Sequence, residues 1–433
     1  MRKELLAVCL IILLILQVGC TEKLVIVAGE ASYAEKGVII KNQGEYFEVV
    51  LDYTSGLTHR EIGAALARGI LAVIPDYEAL IDLYIAENLP KYQYKESFFR
   101  IEDIKPQINP DYLEELDGMA EVFSGGTENG YKDKMLSDEE VYLYNILPDV
   151  ARGSQCSFVS VFGERSATKK NITGRNLDWY AGELNQLPRI QAITTYKYED
   201  RSICSIGYMG FMGILTGFND RKVYAAVLDS STGAPYVSLG KRSYPLDIRY
   251  ALENEETLQD VAEYLTDPSK LYAVNHLIAL ADPEESKILE NNISGTGATG
   301  KRVKRELRSS DSELNKGITW GITDAVAAVN SFMLRGNYDN HTADKNNTKR
   351  WKNIKKELLK SGTTADMDDI KRVISYDNGS PGTFVDSGDI YTQMTVQMIV
   401  FEPDSLSLEV FFHPRDTRNT PDDPIFKKIE VFK

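Results

Sequence analysis

Along this chain the spacing of apolar and polar positions changes period several times, and each change marks a different element. From residue 21 to 55 the apolar runs are short ("KLVIVAG", "GVIIK", "YFEVVLDY") and broken by glycines and charges, the texture of strands joined by turns. From residue 58 the period lengthens. "THRE" reads as a capping box of Thr58 and Glu61, and Ile62, Leu66, Ile70 and Val73 follow at helical spacing. "INPDYLEELDGMAEVF" predicts a second helix, with Asn109 as N-cap, Pro110 in the first turn, and Leu113, Leu116 and Met119 on one face. "LSDEEVYLYNIL" repeats the capping logic with Ser137 and Glu140, so residues 58 to 150 read as mainly helical.

At Cys156 the pattern turns back to strands. "CSFVSVFG", "NITGRNLDW", "RIQAITTYKY", "RSICSIGYMG", "MGILTGFN" and "KVYAAVLDS" predict an antiparallel meander. Helices are predicted again at 245 to 266, with Leu258, Val261 and Leu265 as the apolar stripe, at 321 to 335 and at 350 to 360. Two strands close the chain, "DIYTQMTVQMIVF" and "LSLEVFF". Helices, strands, helices, strands is the order of an α+β chain with layered packing. Residues 292 to 318, Gly-rich and then basic without apolar period, read as a surface insertion.

Composition narrows the classes. The 433 residues are 43% hydrophobic and 26% charged, which is globular, and the formal net charge of -15 argues against nucleic acid as a main partner. "MRKELLAVCLIILLILQVGC" is an export signal over residues 1 to 19. Gly19 before Cys20 looks like a bacterial lipobox, which predicts lipidation of Cys20 and a place in the cell envelope, periplasmic or at the surface, on a lipid anchor. Gln17 departs from the usual Leu, so ordinary signal cleavage and an uncleaved anchor both stay open.

Cys9 lies in the signal, leaving Cys156 and Cys204 as a disulfide pair or as two buried thiols. A cysteine nucleophile usually takes its base from histidine, and the chain offers only His59, His276, His341 and His413, none in a protease signature. No spacing suits zinc or another metal, and the chemistry needs no cofactor. It closes if Cys156 becomes a chain terminus, because a free α-amine titrates near pH ~7.7 and can take the thiol proton within one residue. That requires the Gln155–Cys156 bond to be cut, which the thiol can do by attacking the preceding carbonyl. The expected organisation is a prosegment at 20–155 and a catalytic domain at 156–433.

"YLEELDGMAEVF", "CSFVSVFG", "GRNLDW", "GFNDRKVYAAV", "VNHLIALADPEESKILE" and "NTKRW", in this order, resemble the N-terminal-nucleophile (Ntn) cysteine hydrolases of the choloylglycine hydrolase class, nearest the penicillin acyltransferase-like and acid ceramidase-like branch. The resemblance covers nearly the whole exported chain. It implies a four-layer αββα sandwich of antiparallel sheets, autoproteolysis at Gln155–Cys156 with the two fragments staying associated, and hydrolysis of a small-molecule linear amide outside the peptide class. It also implies roles. Cys156 is the nucleophile, Arg175 the cation favouring its thiolate, Asp178 the carboxylate holding the α-amine, Asn275 an oxyanion donor, Arg350 a second arginine, and Asn219 a pocket residue. Arg175 and Asp178 stand three apart on one strand, which predicts a distortion near Leu177 to bring them to one site.

Taken singly, Arg175 and Asp178 also read as a surface ion pair, Asn275 as a strand cap and Arg350 as the start of an exposed helix; their ordered occurrence behind a strand-initial cysteine favours the site. Trp179, Tyr208, Phe211 and Phe218 suit an apolar acyl chain beside it. Gln155 departs from the branch, which usually places Gly before the cysteine. Acyl transfer to an amine, and a non-catalytic ligand-binding lipoprotein on the same fold, are the alternatives.

Overall fold

The computed structural model describes residues 29–151, 155–230, 237–293, 304–379, 381–382 and 387–432. The export signal and Cys20 lie outside them. The chain opens with an antiparallel ladder of β1 (Ser32–Glu35), β2 (Val38–Asn42) and β3 (Phe47–Asp52). Helices α1 (His59–Val73), α2 (Tyr77–Asn88), α3 (Lys91–Ile104), α4 (Pro110–Ala120) and α5 (Asp138–Asn145) follow. The predicted caps are all in place: Thr58 and Glu61 cap α1 reciprocally, Ser137 and Glu140 do so at α5, and Asn109 accepts from Asp111 N at α4.

Two glycines let α1 and α4 touch backbone to backbone. A Cβ on Gly63 would lie 2.0 Å from the Glu115 carbonyl oxygen, and one on Gly118 would lie 2.0 Å from that of Arg60. The glycine of the "LDGMA" motif is therefore a packing requirement.

Then come β4 (Gln155–Val161), β5 (Ile172–Asp178), β6 (Gln191–Lys197), β7 (Ser202–Tyr208), β8 (Thr216–Asn219) and β9 (Tyr224–Asp229), and next α6 (Tyr244–Asn254) and α7 (Leu258–Thr266). Strands β10 (His276–Ala281), β11 (Ser286–Asn292), β12 (Lys304–Arg308) and β13 (Ala325–Val329) precede α8 (Lys345–Leu359) and α9 (Met367–Ile374). The closing strands are β14 (Thr395–Glu402), β15 (Ser407–Phe412) and β16 (Lys427–Ile429).

These strands make two sheets, ten-stranded in the order β1-β2-β3-β6-β7-β8-β9-β10-β11-β12 and six-stranded in the order β13-β4-β5-β14-β15-β16. Every pairing is antiparallel except β3 with β6, which run parallel from Phe47↔Ala192 to Asp52↔Lys197. The sheets pack face to face through β4 against β9 and β11 against β13, with α1, α6 and α7 outside the large sheet and α8 and α9 outside the small one. The layers are thus α, β, β, α, as expected. One apolar core fills the space between the sheets and under the N-terminal helices, and a second lies under α8 and α9.

Three expectations are corrected. The strands after Cys156 are not one meander: β4 and β5 belong to the small sheet and β6 to β9 to the large one. Residues 321 to 335 hold no helix. The alanine-rich "AVAAV" is β13, buried throughout beside β4, and pairing on a sheet edge outweighs alanine's helix preference there. Of the insertion read at 292–318, residues 294–303 lie outside the described residues, and 304–308 form a strand paired with β11, whose Arg308 is buried on Glu290. Of the stretch 21–55 read as strands, residues 21–28 lie outside the described residues, and the rest carries β1 to β3, which extend the large sheet.

Candidate active site

Cys156 sits at the second position of β4, buried, with its side chain on the face toward the large sheet. Cys156 and Cys204 are both free and buried, so no disulfide joins them. The backbone around the cysteine is held from the opposite side, by α8 and the residues after β13. Cys156 N–H donates to Asn330 Oδ1 at 2.8 Å, and Arg350 Nη1 donates to the Cys156 carbonyl at 2.9 Å and to Ser157 Oγ at 3.1 Å. Arg350 Nη2 reaches the same Asn330 Oδ1 at 2.9 Å, while Asn330 Nδ2 donates to the Asp229 carbonyl at 2.9 Å. With a donor on each side of its oxygen and an acceptor at its nitrogen, the Asn330 carboxamide has one orientation. Asn347 sits one helical turn before Arg350, accepts from Arg350 Nη2, and donates to Ser331 Oγ at 2.7 Å.

Arg350, and not its exposed neighbour Lys349, is therefore the inward residue of "NTKRW". It is the partner of the Cys156 backbone and not the start of an exposed helix.

Arg175 and Asp178 flank the cysteine from the two faces of β5. The β4–β5 register runs unbroken from Gln155↔Asp178 to Val161↔Ile172, so no distortion near Leu177 brings them together. Arg175 projects between the sheets, donating from Nη2 to the Val227 carbonyl at 2.7 Å and lying 3.7 Å from Cys156 Sγ. Asp178 projects toward α8, directly across from Gln155. A register shift in β14 between Thr395 and Gln397 aims Thr395 Oγ1 at Asp178 Oδ1, 2.7 Å away. Asp178 Oδ2 is buried with no hydrogen-bond partner among the described residues. Both side chains are fully buried, which removes the surface ion-pair reading.

Burial pushes the Cys156 thiol up to about 11 against the pull of Arg175, so at neutral pH it keeps its proton in the uncut chain. Burial also pushes Asp178 up to about 6, with Thr395, Arg350 and Arg175 opposing, so it is a carboxylate at pH 7. The histidines are spent elsewhere. His276 uses Nδ1 on the Val274 carbonyl and Nε2 on Asn291, His59 pairs with Glu115, His413 Nδ1 contacts the Pro414 carbonyl, and His341 packs on Trp351.

Asn275 immediately precedes β10 and belongs to the same hydrogen-bond chain: its carbonyl accepts from Ser230 N, the residue after Asp229. Its Oδ1 accepts from Ile293 N at 2.9 Å, so any contact to an oxyanion comes from Nδ2. Asn219 lies apart. It closes the β8–β9 turn, with Oδ1 taking Val223 N at 2.9 Å and Nδ2 donating to the Leu252 carbonyl at 3.0 Å, and β9 puts on the order of 16 Å between that turn and Asp229. Its pocket role is replaced by a turn-anchoring one.

Trp179, Tyr208 and Phe211 line a small cavity of about 30 Å³ with Leu187, Leu215 and, from the N-terminal segment, Tyr84, Tyr144, Leu147 and Pro148. That is room for about one water. Phe218 is not in it; its ring stacks on Phe401 at 4.2 Å in the core between the sheets. Asn330, Asn347 and Thr395 escaped the sequence reading. Their signals were a terminal Asn after "AVAAV" and an Asn one turn ahead of Arg350; Thr395 had none. No cluster of metal-ligating side chains occurs among the described residues.

No family model matches the chain, and no curated protein does. Solved structures that it resembles include an N-acylethanolamine-hydrolyzing acid amidase ortholog of Caenorhabditis elegans, 17% identical with a TM-score of 0.42 over 57% of this chain and 93% of that one. A penicillin V acylase from Agrobacterium tumefaciens is 13% identical, TM-score 0.38, over 64% of this chain and 86% of that one. A mutant of the conjugated bile acid hydrolase from Clostridium perfringens is 10% identical, TM-score 0.35, over 64% of this chain and 92% of that one. At such identities and TM-scores these likenesses transfer no activity, and the chemistry is read from the site.

Proposed function

We propose that the chain is an Ntn-type amide hydrolase that cuts its own Gln155–Cys156 bond and then splits a small, linear, non-peptide amide with an apolar acyl group into acid and amine. One observation carries the reading: a buried thiol lies 3.7 Å from a guanidinium, and the amide nitrogen of the same residue is held by Asn330 at 2.8 Å, where a freed α-amine would be oriented beside its own sulfur.

In the cut, sulfur bonds to the Gln155 carbonyl carbon, the C–N bond breaks, and the thiol proton passes to the departing nitrogen, which becomes the α-amine. Water then opens the thioester, leaving a Gln155 carboxylate and the thiol. In turnover the α-amine takes the thiol proton and returns it to the leaving amine, Arg175 favours the thiolate, Asp178 holds the amine, and Asn275 with a backbone N–H meets the oxyanion. The exported form begins at lipidated Cys20 in the bacterial envelope, and the fragments 20–155 and 156–433 stay together. The pairing of β3 with β6 supports that association, since the partner strands lie on either side of the cut.

Intact mass of the folded protein tests the cut. The expected result is two fragments with the break before Cys156, and a whole chain for Cys156→Ala. A folded wild-type chain that stays whole, or a Cys156→Ala chain that splits there, contradicts the reading.

A further inference from the structure

Gln155 stands where a small residue is expected before the nucleophile, and it has its own holder. It extends from the face of β4 that carries Ser157 and lies across from Asp178; there Asn346 Nδ2 donates to Gln155 Oε1 at 2.8 Å. Asn346 is in the first turn of α8, the helix that also carries Asn347 and Arg350, and its Oδ1 accepts from Gly388 N at 3.3 Å. The bond to be cut is thus fixed at three points. The side chain before it is held by Asn346, the nitrogen within it by Asn330, and the carbonyl after it by Arg350.

We infer that Asn346 is a positioning residue for self-cleavage, and that the Asn346–Gln155 pair supplies the placement of the scissile carbonyl that a small residue would leave to backbone freedom. This rests on the self-cleavage proposed above. A long side chain at this position has several rotamers, each compatible with different backbone angles and so with a different aim of the carbonyl. A hydrogen bond to its tip selects one of them without touching the reacting atoms. The chemistry is unchanged: sulfur adds to the Gln155 carbonyl carbon, the Gln155–Cys156 bond breaks, and one water is consumed in opening the thioester.

The test follows fragment appearance by mass in freshly refolded precursor, for wild type and Asn346→Ala in two backgrounds, Gln155 and Gln155→Gly. Loss of one neutral hydrogen bond predicts cleavage slowed roughly fivefold to tenfold in the Gln155 background and no effect of Asn346→Ala in the Gln155→Gly background. A role in holding α8 alone would slow both backgrounds alike, and that outcome overturns the inference, as does an unchanged rate with Gln155 present. Asn346→Ser, which suits a first helical turn but is too short to reach Gln155, is expected to behave as Asn346→Ala and replaces it if the alanine variant does not fold. A wild-type precursor that never splits overturns the self-cleavage reading itself. A wild type that splits, with Asn346→Ala splitting equally fast, overturns only the positioning role.

Discussion

Asn330 makes one carboxamide serve three groups: it accepts from Cys156 N and Arg350 Nη2 and donates to the Asp229 carbonyl. Beyond it, on the face of β5 toward α8, Asp178 is pushed up to about 6 by burial. If that carboxylate must be ionised to hold the α-amine, amide hydrolysis rises with pH through about 6 and is lost as pH falls below it. Asp178→Asn is expected to slow turnover about a hundredfold and to remove the limb near pH 6 while leaving the one set by the α-amine; a pH–rate profile of the cut enzyme decides, and a limb near pH 6 that persists in the variant contradicts the assignment. Charged or reactive residues inside a motif were legible as neighbours: Cys156, Arg175 and Arg350 lie close together, while Asp178 stands on the opposite face of β5 from Arg175 and not beside it as expected. Amides were harder. The chain carries "AVN" at both 273–275 and 328–330, and nothing in the letters says that the second places its Asn on the Cys156 nitrogen. That depends on β13 pairing with β4, a contact between residues far apart in sequence.

Among the elements, α4 and α6 are joined by a buried charge cluster. Arg249 of α6 lies between Glu115 of α4, at 2.5 Å, and Glu253, at 2.8 Å, and all three are buried. Tyr53, Tyr198 and His59 complete it. Burial raises Glu115, but Arg249 and its hydrogen-bond donors outweigh that and hold it down at about 2. Arg249→Met leaves two carboxylates without their cation and is expected to cost about 3–5 kcal/mol, seen as a lower Tm and early separation of the cut fragments. Adding Glu115→Leu and Glu253→Leu is expected to recover most of it; an undiminished Tm for Arg249→Met alone would contradict the account. Capped helices were readable because Thr58, Ser137 and Asn109 act locally. β12 and β13 were not, because "KREL" is polar at a sheet edge and "AVAAV" has no period. In both, strand identity comes from the neighbouring strand.

Over the whole molecule the acid groups set a pH preference for stability. Burial pushes up Asp82 to about 6, Glu140 to about 7, Asp149 to about 8 and Asp178 to about 6. The folded state holds these protons more tightly than an unfolded chain, whose carboxyls titrate near ~4. Their contribution is therefore complete below about 4 and lost as pH rises through 6 to 8. Glu115 runs the other way, contributing above about 4.5 and losing only as pH falls toward 2. His341 and His413, lowered by burial, oppose the acids near pH ~6.5 but are fewer. The Tm of the Cys156→Ala chain is expected to be higher at pH 5 than at pH 8, and a scanning-calorimetry series showing the reverse would contradict this.

The parallel pairing of β3 with β6 has a consequence for the life history of the protein. In the uncut chain the helices and the β4–β5 hairpin tether the two strands, so their meeting is a first-order event at high effective concentration. If the bond before Cys156 is cut as proposed, the same pairing becomes an encounter between separate molecules at whatever concentration they are present. The proposed maturation would then be a ratchet: a molecule assembled before the cut would keep its sheet, while one unfolded afterwards would have to find a partner to rebuild it, so persistence would come to depend on how slowly the cut form opens.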